Sequence, residues 1–126
     1  MPMKFVTRKI HAFLDYPVAV ALMALPFLLG LGDSSPLAVP LSVGTGIAAF
    51  LLTLLTDHEL GVFRVIPYKG HLAVDALVGI VFVIAPFLLA FEGLDAFYYW
   101  INGAAVLTVV SLHTEGSAQR SPIGRA

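Results

Sequence analysis

The chain consists of long apolar stretches separated by short polar connections. Stretches that lack Asp, Glu, Lys and Arg cover residues 16–32, 34–56, 76–91 and 96–114. A membrane-spanning helix needs about 20 mostly apolar residues, and the first and third stretches reach that length when residues 10–14 and 72–74 are included. The stretches are continuously apolar and do not alternate at every second residue, which argues against membrane β-strands. The pattern therefore predicts four membrane-spanning helices.

The composition agrees with a protein that lives in a bilayer. Hydrophobic residues make up 59% of the 126 residues and charged residues only 12%, whereas about a quarter of the residues are charged in a typical soluble domain. The near balance of 7 Lys and Arg against 8 Asp and Glu leaves no basic surface, which excludes a nucleic-acid partner. The absence of cysteine excludes disulfides, thiolate nucleophiles and zinc–cysteine sites. We expect the lipid bilayer to be the main partner.

The positions of the basic residues predict the orientation in the membrane. All seven fall before the first apolar stretch, between the second and third, or after the fourth, namely Lys4, Arg8, Lys9, Arg64, Lys69, Arg120 and Arg125. Lys and Arg in short loops stay on the cytoplasmic side. We therefore expect a multi-pass protein of a bacterial inner membrane with both termini in the cytoplasm. The aromatic run at residues 97–100 is then expected in the outer interfacial belt.

The first and third stretches are copies of one pattern. Shifting the chain by 60 residues aligns residues 9–31 with 69–91, and eight of these 23 positions are identical, including a His, an Asp, a Lys and a Pro. The second and fourth stretches align less well, and offsets of 55 and 58 compete. The sequence predicts an all-α four-helix bundle in a single membrane domain, residues 1–126. Two tandem hairpins, about 3–59 and 63–115, are related by a pseudo-two-fold axis along the membrane normal. Residues 116–126 are expected to form a flexible cytoplasmic tail.

Each repeat opens with a His-x-x-x-Asp motif and later holds an x-Pro-aromatic triplet, Leu25-Pro26-Phe27 in the first and Ala85-Pro86-Phe87 in the second. In these features the chain resembles small four-span bacterial membrane proteins of the SPW-repeat type. The resemblance implies a hairpin-repeat fold and a membrane location. The function of that family is unassigned, so the resemblance implies no mechanism.

The His-x-x-x-Asp motifs supply the candidate site, His11 with Asp15 and His71 with Asp75. Residues four apart lie on one helix face, and each Asp lies about 6 Å deeper along the helix than its His. Because the first and third helices run parallel, the two motifs are expected to meet at the cytoplasmic end of the bundle. Secondary candidates on the same side are Asp57, His58, His113 and Glu115.

Three roles for this cluster remain open from the sequence. Each Asp can simply orient a His or pair with Lys9, Lys69 or Arg64, which is a structural role. The cluster can instead form a pocket for a cation, a proton or a small ligand. It can also hold one or two divalent metal ions through His11, Asp15, His71 and Asp75, or a haem between His11 and His71. The pattern is also compatible with a protein that has no cofactor.

These roles correspond to three hypotheses for function. The first is a non-catalytic structural or accessory membrane component, and the second is a small transporter or an ion-, proton- or ligand-binding protein. The third is a metal- or haem-dependent membrane enzyme, which the lack of a nucleophilic triad, phosphate loop or dinucleotide fingerprint makes less favoured. A small-residue face at Gly44, Gly46, Ala48 and Ala49 allows close packing inside the bundle, in a homodimer or in a larger membrane assembly.

Overall fold

The computed structural model describes residues 7–56 and 61–112 of the 126-residue chain. This part of the chain forms four α-helices, α1 (Arg8–Leu28), α2 (Ala38–Leu55), α3 (Tyr68–Leu88) and α4 (Gly93–Ser111). No β-strand forms in these residues, where the one β-type contact is an isolated bridge between Thr56 and Ile66. The predicted all-α class and the helical bundle are confirmed.

Three of the helices are long and apolar enough to cross a membrane. The qualifying segments are Lys9–Leu28, Ala38–Leu55 and Tyr68–Leu88. Helix α1 begins just after Thr7, whose hydroxyl accepts a hydrogen bond from the Ile10 amide at 3.1 Å and caps the helix. Helix α4 carries Asp95 in its first turn and Asn102 near its middle, which lowers its apolar character. The membrane character predicted from the sequence is thus confirmed for α1, α2 and α3.

The helices pair as two antiparallel hairpins, α1 with α2 and α3 with α4. Glycine permits close approach in both pairs. A Cβ placed on Gly46 would lie 2.8 Å from the carbonyl oxygen of Ala19 in α1, and a Cβ on Gly103 would lie 2.8 Å from that of Gly79 in α3. The small-residue face predicted on α2 therefore packs inside the bundle at Gly46.

The two hairpins meet closely at one end of the molecule, which we call the Asp95 end and which contains residues 29–37 and 89–92. A buried cluster there includes Leu22, Phe82, Tyr98 and Tyr99. The Tyr99 hydroxyl donates to the Ala38 carbonyl at 2.6 Å. These contacts place apolar side chains of both hairpins in one core.

Tyr98 makes a second connection between the hairpins. The Ser42 hydroxyl donates its proton to the Leu22 carbonyl at 2.8 Å, so the Tyr98 hydroxyl, 2.6 Å from Ser42 Oγ, is the donor in their contact. Within the 97–100 run, which is predicted to lie in an interfacial belt, Tyr98 and Tyr99 are buried between the hairpins. Their hydroxyls find acceptors only in the other hairpin. Phe97 is exposed, and its place in an interfacial belt stays a prediction.

A buried carboxylate completes the Asp95 end. Asp95 accepts hydrogen bonds from the backbone amides of Gly32 at 2.9 Å and Ser34 at 3.0 Å, and from the Ser34 hydroxyl at 2.5 Å. The Ser34 hydroxyl oxygen in turn accepts from the Glu92 amide at 3.0 Å. The loop of the first hairpin is thereby bound to the start of α4 by four hydrogen bonds.

The C-termini of α1 and α3 share one backbone arrangement. The amide of Leu31 donates to the Pro26 carbonyl at 2.9 Å, and the amide of Phe91 donates to the Pro86 carbonyl at 3.0 Å. The preceding residues take positive φ, +69° at Gly30 and +58° at Ala90, as such helix endings require. Glycine adopts this conformation freely, whereas alanine does not.

This difference predicts opposite effects for two reciprocal substitutions. Ala90→Gly should stabilise the protein by about 1 kcal/mol because it removes the left-handed strain of a Cβ. Gly30→Ala should destabilise it by a similar amount, since a Cβ there meets no neighbouring atom within 4 Å and only the conformation is penalised. Thermal unfolding of the detergent-purified variants measures both. Equal shifts of the melting temperature in the same direction would show that left-handed backbone strain does not govern stability at positions 30 and 90.

Candidate functional site

The four sequence-predicted site residues converge at the end of the molecule opposite Asp95. His11 and His71 are each the fourth residue of their helix, α1 and α3, and Asp15 and Asp75 follow one turn later. We call these four residues the His/Asp quartet. One ligand atom from each of them lies within 4.8 Å of those of the other three.

Each imidazole contacts both carboxylates through its Nε2 atom. His11 Nε2 lies 3.1 Å from Asp15 Oδ1 and 2.8 Å from Asp75 Oδ2. His71 Nε2 lies 3.1 Å from Asp15 Oδ2 and 3.2 Å from Asp75 Oδ2. The pairing expected along each helix therefore coexists with pairing between the hairpins, and the quartet is a single polar site.

The imidazoles are more deeply buried than the carboxylates. His11 is 2% exposed and His71 1% exposed, whereas the Asp15 and Asp75 side chains are 14% and 19% exposed. The two imidazole rings lie perpendicular with centroids 5.5 Å apart. Tyr68, itself buried, packs edge-on against His11 and parallel to His71. The quartet is thus shielded on the imidazole side and more accessible on the carboxylate side.

Thr56 determines which nitrogen of His71 carries a proton. Its hydroxyl is 2.5 Å from the Leu52 carbonyl oxygen, which can only accept, so Thr56 donates its one proton there. Thr56 Oγ1 is also 2.7 Å from His71 Nδ1 and must accept a proton from it. In a neutral His71 the Nε2 atom therefore presents its lone pair to the two carboxylates.

His11 lacks a comparable partner. Its Nδ1 atom is buried and has no hydrogen-bond partner within residues 7–56 and 61–112. Since buried polar atoms normally have a partner, this nitrogen is a place where a water molecule or a group outside those residues would bind. The Nδ1 atom of His71 is therefore held by a hydrogen bond to Thr56, whereas that of His11 is not held by any described residue.

The quartet does not suit a haem held between the imidazoles. Asp75 Oδ2 lies within 2.8 Å of His11 Nε2 and 3.2 Å of His71 Nε2. The Asp75 carboxylate contacts both nitrogens and would have to move before a porphyrin plane could lie between the two imidazoles. We do not assign a haem to His11 and His71.

A cavity of about 580 Å³ extends from the quartet into the centre of the bundle. All four helices line it, and on α1 the lining reaches from His11 to Leu22, about 16 Å along the helix axis. Its walls are mostly Leu, Val and Ala side chains. The hairpins are therefore separated in this half of the molecule, while they are packed together at the Asp95 end.

The remaining candidates have different outcomes. Asp57, His58, His113 and Glu115 lie outside the described residues, as do the expected tail at 116–126 and the ends of the chain. Lys9 and Lys69 are exposed residues.

The sequence analysis missed Thr56 and Tyr68 as site residues. Thr56 makes the helix-internal bond that a membrane-helix threonine usually makes, and nothing in the pattern showed that its oxygen also reaches His71. Tyr68 begins α3 and is buried, although it lies outside the third apolar stretch of the sequence. The one available signal was position, because both residues flank the connection that leads to His71.

Comparisons of this chain with protein-family models, with curated proteins and with solved structures found no match. The functional proposals below therefore rest on the geometry of the quartet and its cavity.

The bond between Thr56 and His71 predicts a difference between two identical substitutions. Thr56→Val should destabilise the protein by about 1 to 3 kcal/mol, because it leaves the buried His71 Nδ1 proton without an acceptor. Thr53→Val is the matched control, since Thr53 is equally buried and donates only to the Ala49 carbonyl of its own helix. Thermal unfolding compares them, and equal losses would show that the Thr56 hydroxyl does not support His71.

Proposed function

We propose that this chain is an integral membrane protein that binds one divalent transition-metal ion in the His/Asp quartet. The observation that carries the proposal is the convergence of two imidazole Nε2 atoms and two carboxylates, one of each from each hairpin, at N···O distances of 2.8 to 3.2 Å. This function is an ion-binding one, the second of the three hypotheses raised by the sequence. It makes no claim of catalysis.

Charge balance supports a cation at this position. With both imidazoles neutral, the quartet carries two negative charges, and an uncompensated charge inside a membrane helix costs several kcal/mol. His71 in its neutral form would also direct a lone pair at two carboxylates, as the Thr56 contact requires. One divalent ion removes both problems, because it neutralises the carboxylates and accepts the lone pair.

The donor set and its spacing suit such an ion. Two imidazole nitrogens with two carboxylate oxygens are typical ligands for zinc, iron, manganese or cobalt. Ligand atoms around a tetrahedral zinc ion lie about 3.3 Å apart, given metal–ligand distances of about 2.0 to 2.1 Å. The observed N···O distances are within a few tenths of an ångström of that spacing. The Thr56 contact also matches the hydrogen bond that usually orients a metal-bound imidazole.

A structural quartet is the competing candidate. The His11–Asp75 distance of 2.8 Å is also that of a charge-assisted hydrogen bond, and two protonated imidazoles would equally neutralise the two carboxylates. The quartet would then only join the hairpins, and the protein would be the non-catalytic membrane component of the first hypothesis. Metal content separates these two functions.

The same proposal includes the membrane arrangement predicted from the sequence. Helix α4 has 19 residues, about 28 Å in length, and packs along α3, which supports a fourth span. Four spans place both termini on one side, and the distribution of Lys and Arg favours the cytoplasmic side of a bacterial inner membrane. Membership of the SPW-repeat type and assembly as a homodimer remain predictions.

Contacts within the hairpins support the proposed duplication. Gly46 packs against Ala19, Leu22 and Met23, while Gly103 packs against residues 79, 82 and 83, each of them 60 positions later. Gly46 and Gly103 are 57 positions apart, which favours an offset of 57 for α2 and α4, between the values of 55 and 58 that competed in the sequence. A pseudo-two-fold axis between the hairpins would relate these pairs.

The test is metal binding by the purified protein. We expect the detergent-solubilised chain to bind one Co²⁺ or Zn²⁺ ion, with visible Co²⁺ absorption bands typical of mixed nitrogen and oxygen ligands. His71→Ala and Asp75→Asn should each weaken binding by more than about 100-fold, since losing even an outer-shell partner costs about 10- to 100-fold. Elemental analysis and titration of the Co²⁺ bands measure both quantities.

Asp33→Asn is the matched control, because it makes the same chemical change at an exposed loop position and should leave metal binding unchanged. A folded protein that binds no metal, and whose quartet variants only lose thermal stability, would overturn the metal proposal and favour the structural quartet. Equal losses in Asp33→Asn and Asp75→Asn would show that the binding occurs elsewhere.

A further inference from the structure

The apolar cavity beside the quartet is a feature that metal binding alone leaves unexplained. Its volume of about 580 Å³ lies within the range of about 300 to 1,000 Å³ that is typical of small-molecule sites. Helical membrane proteins are otherwise closely packed, and a void of this size forfeits the contacts of every side chain that lines it. A cavity of this kind is therefore expected to have an occupant.

The walls next to the quartet show that the two hairpins do not fill this space themselves. Leu14, Val18 and Val74, one turn or less from the quartet Asp residues, are 38%, 40% and 42% exposed although they line the interior of the bundle. These surfaces would be covered by an apolar body placed between the hairpins. The occupant is thus expected to have a hydrocarbon part that contacts Leu and Val side chains.

Polar side chains deeper in the cavity offer little to a hydrophilic molecule. The hydroxyl of Thr45 donates to the Leu41 carbonyl at 2.7 Å, and the hydroxyl of Thr53 donates to the Ala49 carbonyl at 2.8 Å. The Asn102 amide donates to the Tyr98 carbonyl of its own helix at 2.8 Å. The strong polar groups are therefore concentrated at one end of the cavity, in the quartet.

The quartet faces the cavity with its more accessible side. Asp15 and Asp75 line the cavity together with both histidines. An ion held by the quartet would neutralise its carboxylates, and an ion that accepts a fifth or sixth ligand would present a Lewis-acidic surface with an open coordination position to whatever fills the cavity. A group with oxygen donors, neutral or anionic, is the chemical partner of such a surface.

We propose that the cavity binds an amphiphile with one hydrocarbon chain and an oxygen-donor head, the head on the quartet's metal ion and the chain between the hairpins. This inference rests on the proposed metal function for the head group. The position of the chain rests on the cavity alone. Both parts involve binding only, and no bond in the amphiphile is broken.

The experiment uses Co²⁺-loaded protein in lipid nanodiscs and two probes with the same head, octanohydroxamate and acetohydroxamate. Binding of the head is followed by the change in the Co²⁺ absorption bands, which molecules dissolved in the lipid do not alter. We expect octanohydroxamate to produce half of the change at a concentration at least about tenfold lower than acetohydroxamate does.

Two variants test whether the chain occupies the cavity. Ala105 lines the cavity and Ala104 does not, although both are exposed residues of α4. Ala105→Phe should fill the cavity and weaken octanohydroxamate binding by about tenfold or more, with acetohydroxamate binding and metal content unchanged. Ala104→Phe should behave as the unmodified protein, which also controls for partitioning of the longer probe into lipid.

The outcomes separate this inference from the proposed function. Two results would overturn the amphiphile site while the metal site stands, provided that all variants keep the metal. In the first, octanohydroxamate binds no more tightly than acetohydroxamate. In the second, octanohydroxamate binds equally tightly to the Ala105→Phe and Ala104→Phe variants. If the unmodified protein binds no Co²⁺, the proposed function fails and the head-group assignment fails with it.

Discussion

The contact between two imidazoles and two carboxylates is the interaction on which the rest of this half of the molecule depends. Four ionisable side chains lie inside two largely apolar helices, and each of them has its partners in both hairpins. Polar groups in such surroundings must satisfy one another because water is scarce. The quartet therefore fixes how far apart the first turns of α1 and α3 can lie, whether its positive charge comes from protons or from a metal ion.

The two ends of the molecule are held together by different means. Apolar burial does little to associate helices that are surrounded by lipid, so close backbone packing and hydrogen bonds between helices become important. At the Asp95 end these are supplied by the two tyrosine hydroxyls and by Asp95 itself. At the quartet end the side chains between the hairpins are mostly Leu, Val and Ala and leave a cavity. A binding site for an apolar molecule is compatible with the second arrangement and not with the first.

Much of the architecture could be predicted because it depends on features that repeat at long range. The His and Asp residues of α1 and α3 recur 60 positions apart, with a proline at the same offset. This recurrence was enough to predict that the two His-x-x-x-Asp motifs lie at the same end of the bundle. The alignment of α2 with α4 could not be settled, since apolar and small residues match at several offsets and only the neighbours of Gly46 and Gly103 favour one. The roles of Thr56, Tyr98 and Tyr99 were not predictable for a related reason. A hydroxyl in a membrane helix can bond within its own helix or across to another, and only the packed helices show which acceptor lies within reach.

The unequal packing of the two ends has a mechanical consequence. Hydrogen bonds from Tyr98 and Tyr99 and to Asp95 join the hairpins at one end. The quartet joins them at the opposite end, and the cavity lies between these two connections. The charge held by the quartet therefore acts on the spacing between α1 and α3 and not on the hydrogen bonds within either helix.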